Sequence, residues 1–191
     1  MEIYGEKVKL RAMEKEDMEM LREIVNDPET ERMVGGWSFP VSKTQQENWY
    51  ERVVSDQRNL RFIIEVLETK EAIGLINLVD IDWKNRSGFH GIKLHPNAPK
   101  GKGYAKDAIM ALEWYAFEQL QLNRLDGSCI VYNIASQNLY DKCGVKVEGI
   151  KRKAVYKDGQ YWDQQVTGVL KEDYLKAKEE MNWKSYNERN R

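Results

Sequence analysis

The sequence predicts an α+β fold: one domain built on a mixed, mostly antiparallel seven-stranded sheet flanked by helices. Three observations lead there. Segments of period-two alternation follow one another through the middle of the chain, helical segments of period 3.6 stand before and between them, and no repeat or linker interrupts the pattern. The 191 residues, 41% hydrophobic and 32% charged, suit a single well-buried domain.

Val8, Leu10 and Ala12 alternate with Lys7, Lys9 and Arg11, the pattern of a half-buried strand. Met18, Leu21, Ile24 and Val25 share a helical face that ends before Pro28. Ser42 is a candidate cap for a second helix, with Gln45 three residues on and Trp49, Val53 and Val54 expected inside. Between these helices, "ERMVGGWSFP" is rich in glycine and aromatic residues and reads as a loop. Residues 60–68, 72–83 and 87–95 carry strand patterns, the first two joined by the polar turn Thr69-Lys70-Glu71. Residues 104–120 show a helical stripe of Tyr104, Ala108, Ile109, Leu112, Tyr115, Ala116 and Leu120, with Lys106, Asp107, Glu113 and Glu118 off it. A strand is expected over 124–132, then a short helix from the N-cap Asn133 to a stop at Gly144. The last two strands flank Asp158-Gly159, a hairpin turn signal. The domain is assigned to 1–170, with a charged, helical C-terminal tail over 171–191.

With 30 basic against 31 acidic residues, no nucleic-acid partner is expected. The first residues lack a signal-peptide core and no apolar run reaches membrane-spanning length, so neither a membrane nor export is expected. Cys129 and Cys143 have no paired spacing, which predicts neither a disulfide nor a metal site and fits a cytoplasmic protein with reduced thiols.

The segment with the clearest chemical content is "APKGKGYAKDAI", residues 98–109. A helix starting near Tyr104 leaves its first backbone N–H groups without internal partners, and the helix dipole adds partial positive charge there. Gly101 and Gly103 allow close approach of a ligand, and Lys100 and Lys102 add full charges. This describes a cradle for phosphate or pyrophosphate, alongside the plainer reading of a solvated turn. The P-loop pattern fails because no hydroxyl follows Gly101-Lys102, and the dinucleotide fingerprint fails for want of a third glycine and a parallel βαβ unit.

"KGKGYA" resembles the Arg/Gln-x-x-Gly-x-Gly/Ala motif of the GCN5-related N-acetyltransferase (GNAT) superfamily, with Lys100, Gly103 and Ala105 at its positions. "NIASQNLYDKCGV" resembles the second family motif through Asn133, Ser136, Leu139, Tyr140 and Gly144. The opening "LRAMEKEDMEMLREIVNDPE" is similar to the branch holding ribosomal-protein N-terminal acetyltransferases and spermidine N-acetyltransferases. Lys100 replaces the usual Arg or Gln, and Val145 the usual Phe. Phe89 stands where some polyamine-acetylating relatives carry a Glu.

The resemblance implies acetyl-CoA as donor. Its pyrophosphate would lie on Lys100, Gly101, Lys102, Gly103, Tyr104 and Ala105, and its pantetheine along the backbone of Ile92, Lys93 and Leu94 with Asn133 nearby. An amine would attack the thioester directly. Tyr140 is the expected acid for the departing thiolate, since a phenol of pKa ~10 is matched to a thiolate of pKa ~8.5, with Ser136 on the same helical face as a second acid. For the base, His90 is the residue put forward, with a water chain to Asp80, Asp82 or Glu65 as the alternative; His95, next to Pro96, reads as a solvated strand end. Glu31, Met33, Trp37 and Phe39 are expected to line the acceptor site. The acceptor is expected to be a primary amine, a peptide N-terminus or amino sugar ahead of a polyamine, with a homodimer as a further expectation. A non-catalytic CoA-binding module on the same fold is the alternative, and it would be expected to lose Tyr140.

Overall fold

Val8 and Leu10 turn into the core while Lys9 and Arg11 face away from it, so the first expected strand forms as β2 (Val8–Arg11). The computed structural model describes residues 2–36 and 39–189. Among these, eight strands form one sheet: β1 (Ile3–Tyr4), β2, β3 (Leu60–Val66), β4 (Ala72–Asp82), β5 (Ser87–Leu94), β6 (Arg124–Ile130), β7 (Lys146–Lys157) and β8 (Gln160–Leu170). Their order is β1-β2-β3-β4-β5-β6-β8-β7, and only the β5–β6 neighbours are parallel. The eighth strand is β1, which pairs Ile3 with Leu10 and is too short to show any period in sequence.

The helices are α1 (Met18–Asn26), α2 (Pro28–Met33), α3 (Lys43–Val53), α4 (Tyr104–Trp114), α5 (Ile134–Lys142), α6 (Lys171–Glu180) and α7 (Tyr186–Arg189). Part of the expected 31–40 loop is helical. Asp27 accepts from the Thr30 amide and Pro28 takes the first helical position, so α2 starts before the glycines and carries Glu31 and Met33. In α3, Ser42 and Gln45 form the expected reciprocal cap. Val54, expected inside, is exposed because the helix stops at Val53; Gln46 and Tyr50 are buried instead. A π turn over Tyr115–Gln119 prolongs α4. Asp158 and Gly159 both have positive φ (51° and 78°), as a tight turn between β7 and β8 requires.

Two apolar layers sandwich the sheet. Ile64, Ile76 and Leu78 pack with Ala108, Ile109 and Leu112 of α4 and with Tyr174 of α6. Ile63, the neighbour of Ile64, points to the other face and packs with Leu21 and Ile24 of α1 and Tyr50 of α3. The segment from Lys171 is helical and belongs to this core, since Tyr174 and Trp183 are buried in it.

Asp107 and Glu113, off the apolar stripe, are buried rather than solvated because α4 is covered nearly all round. Asp107 accepts from the backbone N–H groups of Glu6, Lys7 and Val8 at 2.9, 2.7 and 2.9 Å, and from the Trp183 indole at 2.7 Å. One carboxylate thereby ties the start of α4 to both ends of the chain. Glu113 has no hydrogen-bond partner among the described residues, and burial raises its pKa well above the ordinary carboxylate value.

Asp107→Ala leaves those buried donors unsatisfied and is expected to cost about 4 kcal/mol of unfolding free energy, read by urea denaturation. A loss below about 1 kcal/mol would show that the two chain ends hold without it.

Candidate active site

β5 and β6 pair only through Ser87↔Arg124, Gly88↔Leu125 and Phe89↔Asp126. Beyond Phe89 the strands part, and β5 continues to Leu94 against β4 alone. The parting leaves a backbone edge turned to an open gap. Ile92 points its N–H into that gap, toward the hydroxyl of Tyr140. Leu94, two residues on, turns its backbone groups the same way.

α5 follows β6 beyond the point where the strands part. Asn133 starts it, with Oδ1 accepting from the Ser136 amide at 3.1 Å and Nδ2 donating to the Met33 carbonyl at 2.9 Å. Both ends of the Asn133 amide are therefore engaged in structure, fastening α2 to α5. Tyr140 lies one helical turn beyond Ser136, its ring centroid 5.2 Å from that of His90. Burial lifts the Tyr140 hydroxyl well above the ordinary phenol range, the nearby thiols and Glu113 push the same way, and only the Ile92 amide opposes them. It stays protonated at every physiological pH. The Ser136 hydroxyl is engaged with the thiol of Cys129, whose pKa burial raises. Burial likewise raises that of Cys143, so neither thiol is poised to react.

His90 is buried, and burial pulls its pKa down to about 4 against a smaller opposing effect of Asp126. Its imidazole is neutral at pH 7, and a group that weakly basic is ill suited to take a proton from an ammonium. His95 is bonded to Glu23 at 2.8 Å at the strand end. Glu65 is held by Arg11 and Lys9, at 2.7 and 3.1 Å, and Asp82 caps its own turn through Asn85. Neither these carboxylates nor Asp80 lines the cleft.

Past the end of β5, Gly101 and Gly103 hold φ of +74° and +82°, a left-handed conformation that favours glycine. No side chain caps α4, so the amides of Tyr104 and Ala105 point out of its first turn. A Cβ on Gly101 would meet nothing within 4 Å, so the loop is open to a ligand. Lys100 and Lys102 are exposed there. Lys7 joins them, its Nζ 2.8 Å from the Lys102 carbonyl. Nothing in the sequence links Lys7 to a loop so distant along the chain.

A cavity of about 1080 Å³ runs from Tyr140 and Ser136 across the exposed face of β4 and β5 to α1 and α3. Met33 lines it. The Glu31 carboxylate does not, because it is paired with Lys157. Phe39 is 67% exposed and lies off the cavity wall, and Trp37 lies outside the described residues.

The family model described as "Acetyltransferase (GNAT) domain" matches residues 7–146. The SPbeta prophage-derived uncharacterized N-acetyltransferase YokL of Bacillus subtilis is 30% identical over 171 residues, which are 89% of this chain and 93% of that protein. Spermidine N(1)-acetyltransferase of Vibrio cholerae is 28% identical over 173 residues, 89% of this chain and 96% of that protein. The crystal structure of spermidine N-acetyltransferase from Vibrio cholerae in complex with CoA and spermine superposes with a TM-score of 0.82 at 27% identity. It covers 88% of this chain and 98% of its own.

The His90 environment has a consequence for stability. Its folded pKa of about 4 lies below the unfolded value of 6.5, so its contribution is complete above pH 6.5 and is lost as pH falls toward 4. The difference amounts to about 3 kcal/mol. Denaturation of wild type and His90→Gln across pH 7 to 4 is expected to show a steeper loss in wild type, and parallel curves would contradict it.

Proposed function

Since the chain belongs to the GNAT acetyltransferase family and is an acetyl-CoA-dependent N-acetyltransferase, we propose that transfer to a primary amine takes place where β5 and β6 part, with Tyr140 as the acid. The observation that carries this reading is the Tyr140 hydroxyl at the Ile92 amide, inside the gap and facing the cavity.

The residues present suit the donor. The open glycine loop with its uncapped α4 amides fits a pyrophosphate, and Lys7, Lys100 and Lys102 surround it with positive charge. The exposed edge of β5 at Ile92 and Leu94 offers backbone donors and acceptors to the pantetheine amides, as a neighbouring strand would. Along that line the thioester arrives beside Tyr140. The amine nitrogen attacks the thioester carbon, the carbon–sulfur bond breaks, and the thiolate takes the Tyr140 proton. The nitrogen's surplus proton leaves through the cavity to water, since among the described residues no carboxylate lines it and His90 is too weakly basic. Burial raises the proton affinity of the phenolate and of a buried thiolate alike, so the mismatch between them does not widen, and water in the cavity returns a proton to Tyr140.

Tyr140→Phe keeps the ring against His90 and removes the proton. Turnover is expected to fall roughly 10²- to 10⁴-fold, with acetyl-CoA affinity and melting temperature little changed. Because Ser136 sits one turn away, the substitution is also to be made with Ser136→Ala. Turnover near the wild-type value in the double variant, with chemistry rate-limiting, would remove both hydroxyls from the reaction.

A further inference from the structure

Strand register sets the floor of the cavity. Arg61 on β3 lies opposite Asn77 on β4, and Asn77 opposite Gly91 on β5; Ile63, Leu75 and Lys93 form the next row. Directly paired residues point to the same side of a sheet. Arg61 and Lys93 therefore project with Ile63 and Leu75 into the space under α1 and α3. Arg52, in the last turn of α3, closes that space from above.

The wall this produces is positively charged. Arg52, Arg61, Lys93 and Lys157 line the cavity, and among the described residues no aspartate or glutamate does. Lys157 is paired with Glu31. Arg61 is half-buried, donates one N–H to the Asn59 carbonyl at 2.9 Å and lies 5.8 Å from the centre of the Trp49 ring. Asp56 and Asp80 act on it without forming an ion pair. Burial lowers the pKa of Arg61 and, with help from Lys157, that of Lys93. Cations withdrawn from water without counter-charges are costly to hold, and an incoming anion relieves that cost. Gly91 keeps the floor low between them, since a Cβ there would stand 3.0 Å from Asn77 Oδ1. That oxygen has no hydrogen-bond partner among the described residues.

We propose that this cavity takes a primary amine that itself carries a carboxylate or phosphate, with Arg61 and Lys93 holding the anion. The inference rests on the acetyltransferase reading and specifies its acceptor. Arg61 stands two strand spacings from β5, so the anion lies up to ~10 Å from the reacting nitrogen. Asn77, between them, offers its unpartnered oxygen to an N–H or hydroxyl of the acceptor. A polyamine is poorly matched, because its remaining ammonium groups would face Arg61 and Lys93 with no carboxylate to receive them.

The test measures CoA release from acetyl-CoA with matched acceptors: glucosamine and glucosamine 6-phosphate, the dipeptides Ala-Lys and Ala-Glu, and spermidine. The phosphate and carboxylate arms separate the two sources of negative charge. At least one anionic member is expected to exceed its partner and spermidine by tenfold or more in kcat/KM. Arg61→Gln is expected to shrink that ratio toward one through KM, and Arg61→Glu to reverse it, with circular dichroism confirming that each variant is folded. Preference for spermidine, or an anionic preference untouched in both Arg61 variants, would overturn the proposal while leaving acetyl transfer intact. Release with no amine, from protein that is folded and binds acetyl-CoA, would overturn the transferase reading and this one together.

Discussion

The site depends on a parallel pair of strands that cannot stay paired. β5 and β6 share three residue pairs and then separate, and every group assigned to the reaction borders the opening. Backbone N–H and C=O groups are obligatory hydrogen-bonding groups, so an edge left open inside a sheet must find other partners. Here Ile92 turns to Tyr140, and residues 89–93 of β5 border the cavity. The sheet thus supplies a binding surface without any dedicated side chain. In the proposed reaction the glycine loop and α4 would hold the donor and α5 would bring Tyr140 to it.

That division requires the two parts to stay in register, and polar links between distant segments achieve this. Asp107 holds the first turn of α4 against the β1–β2 turn and Trp183, and Lys7 in that same turn reaches the Lys102 carbonyl of the loop. At the far end, Asn133 joins the start of α5 to the end of α2, and Lys157 joins β7 to Glu31 of the same helix. Each link spans a long stretch of sequence. Apart from the exposed Lys7 contact, these links lie at least partly out of solvent, where salt screens them less.

This difference between local and long-range links explains what the sequence reveals. Ser42 with Gln45, Asp158-Gly159 and Asn133 are local signals, and each caps or turns the chain as expected; the paired glycines before Tyr104 are a local signal too, and both take positive φ. The family motifs are local too, so Tyr140 and the loop are legible. β1 has no period to read at two residues, and α2 hid behind the glycines that follow it, although Asp27-Pro28 marks its start. Asp107 looks like a solvated residue until the chain ends close over it. The positive cavity wall is less legible still: Arg61 and Lys93 lie on different strands, and only the pairing of both with β4 brings them to one floor. His90 is visible in sequence, but its burial, and with it its weak basicity, is not.

The most direct test is hydrogen–deuterium exchange of the amides of residues 90–105 with and without CoA. If the parted edge of β5 and the first turn of α4 bind the donor together, Ile92 and Leu94 and the amides from Gly101 to Ala105 should slow together by at least tenfold at saturating CoA. The β7–β8 hairpin, away from the donor track, should be unchanged. Protection confined to the glycine loop, with Ile92 and Leu94 exchanging as fast as before, would contradict the account.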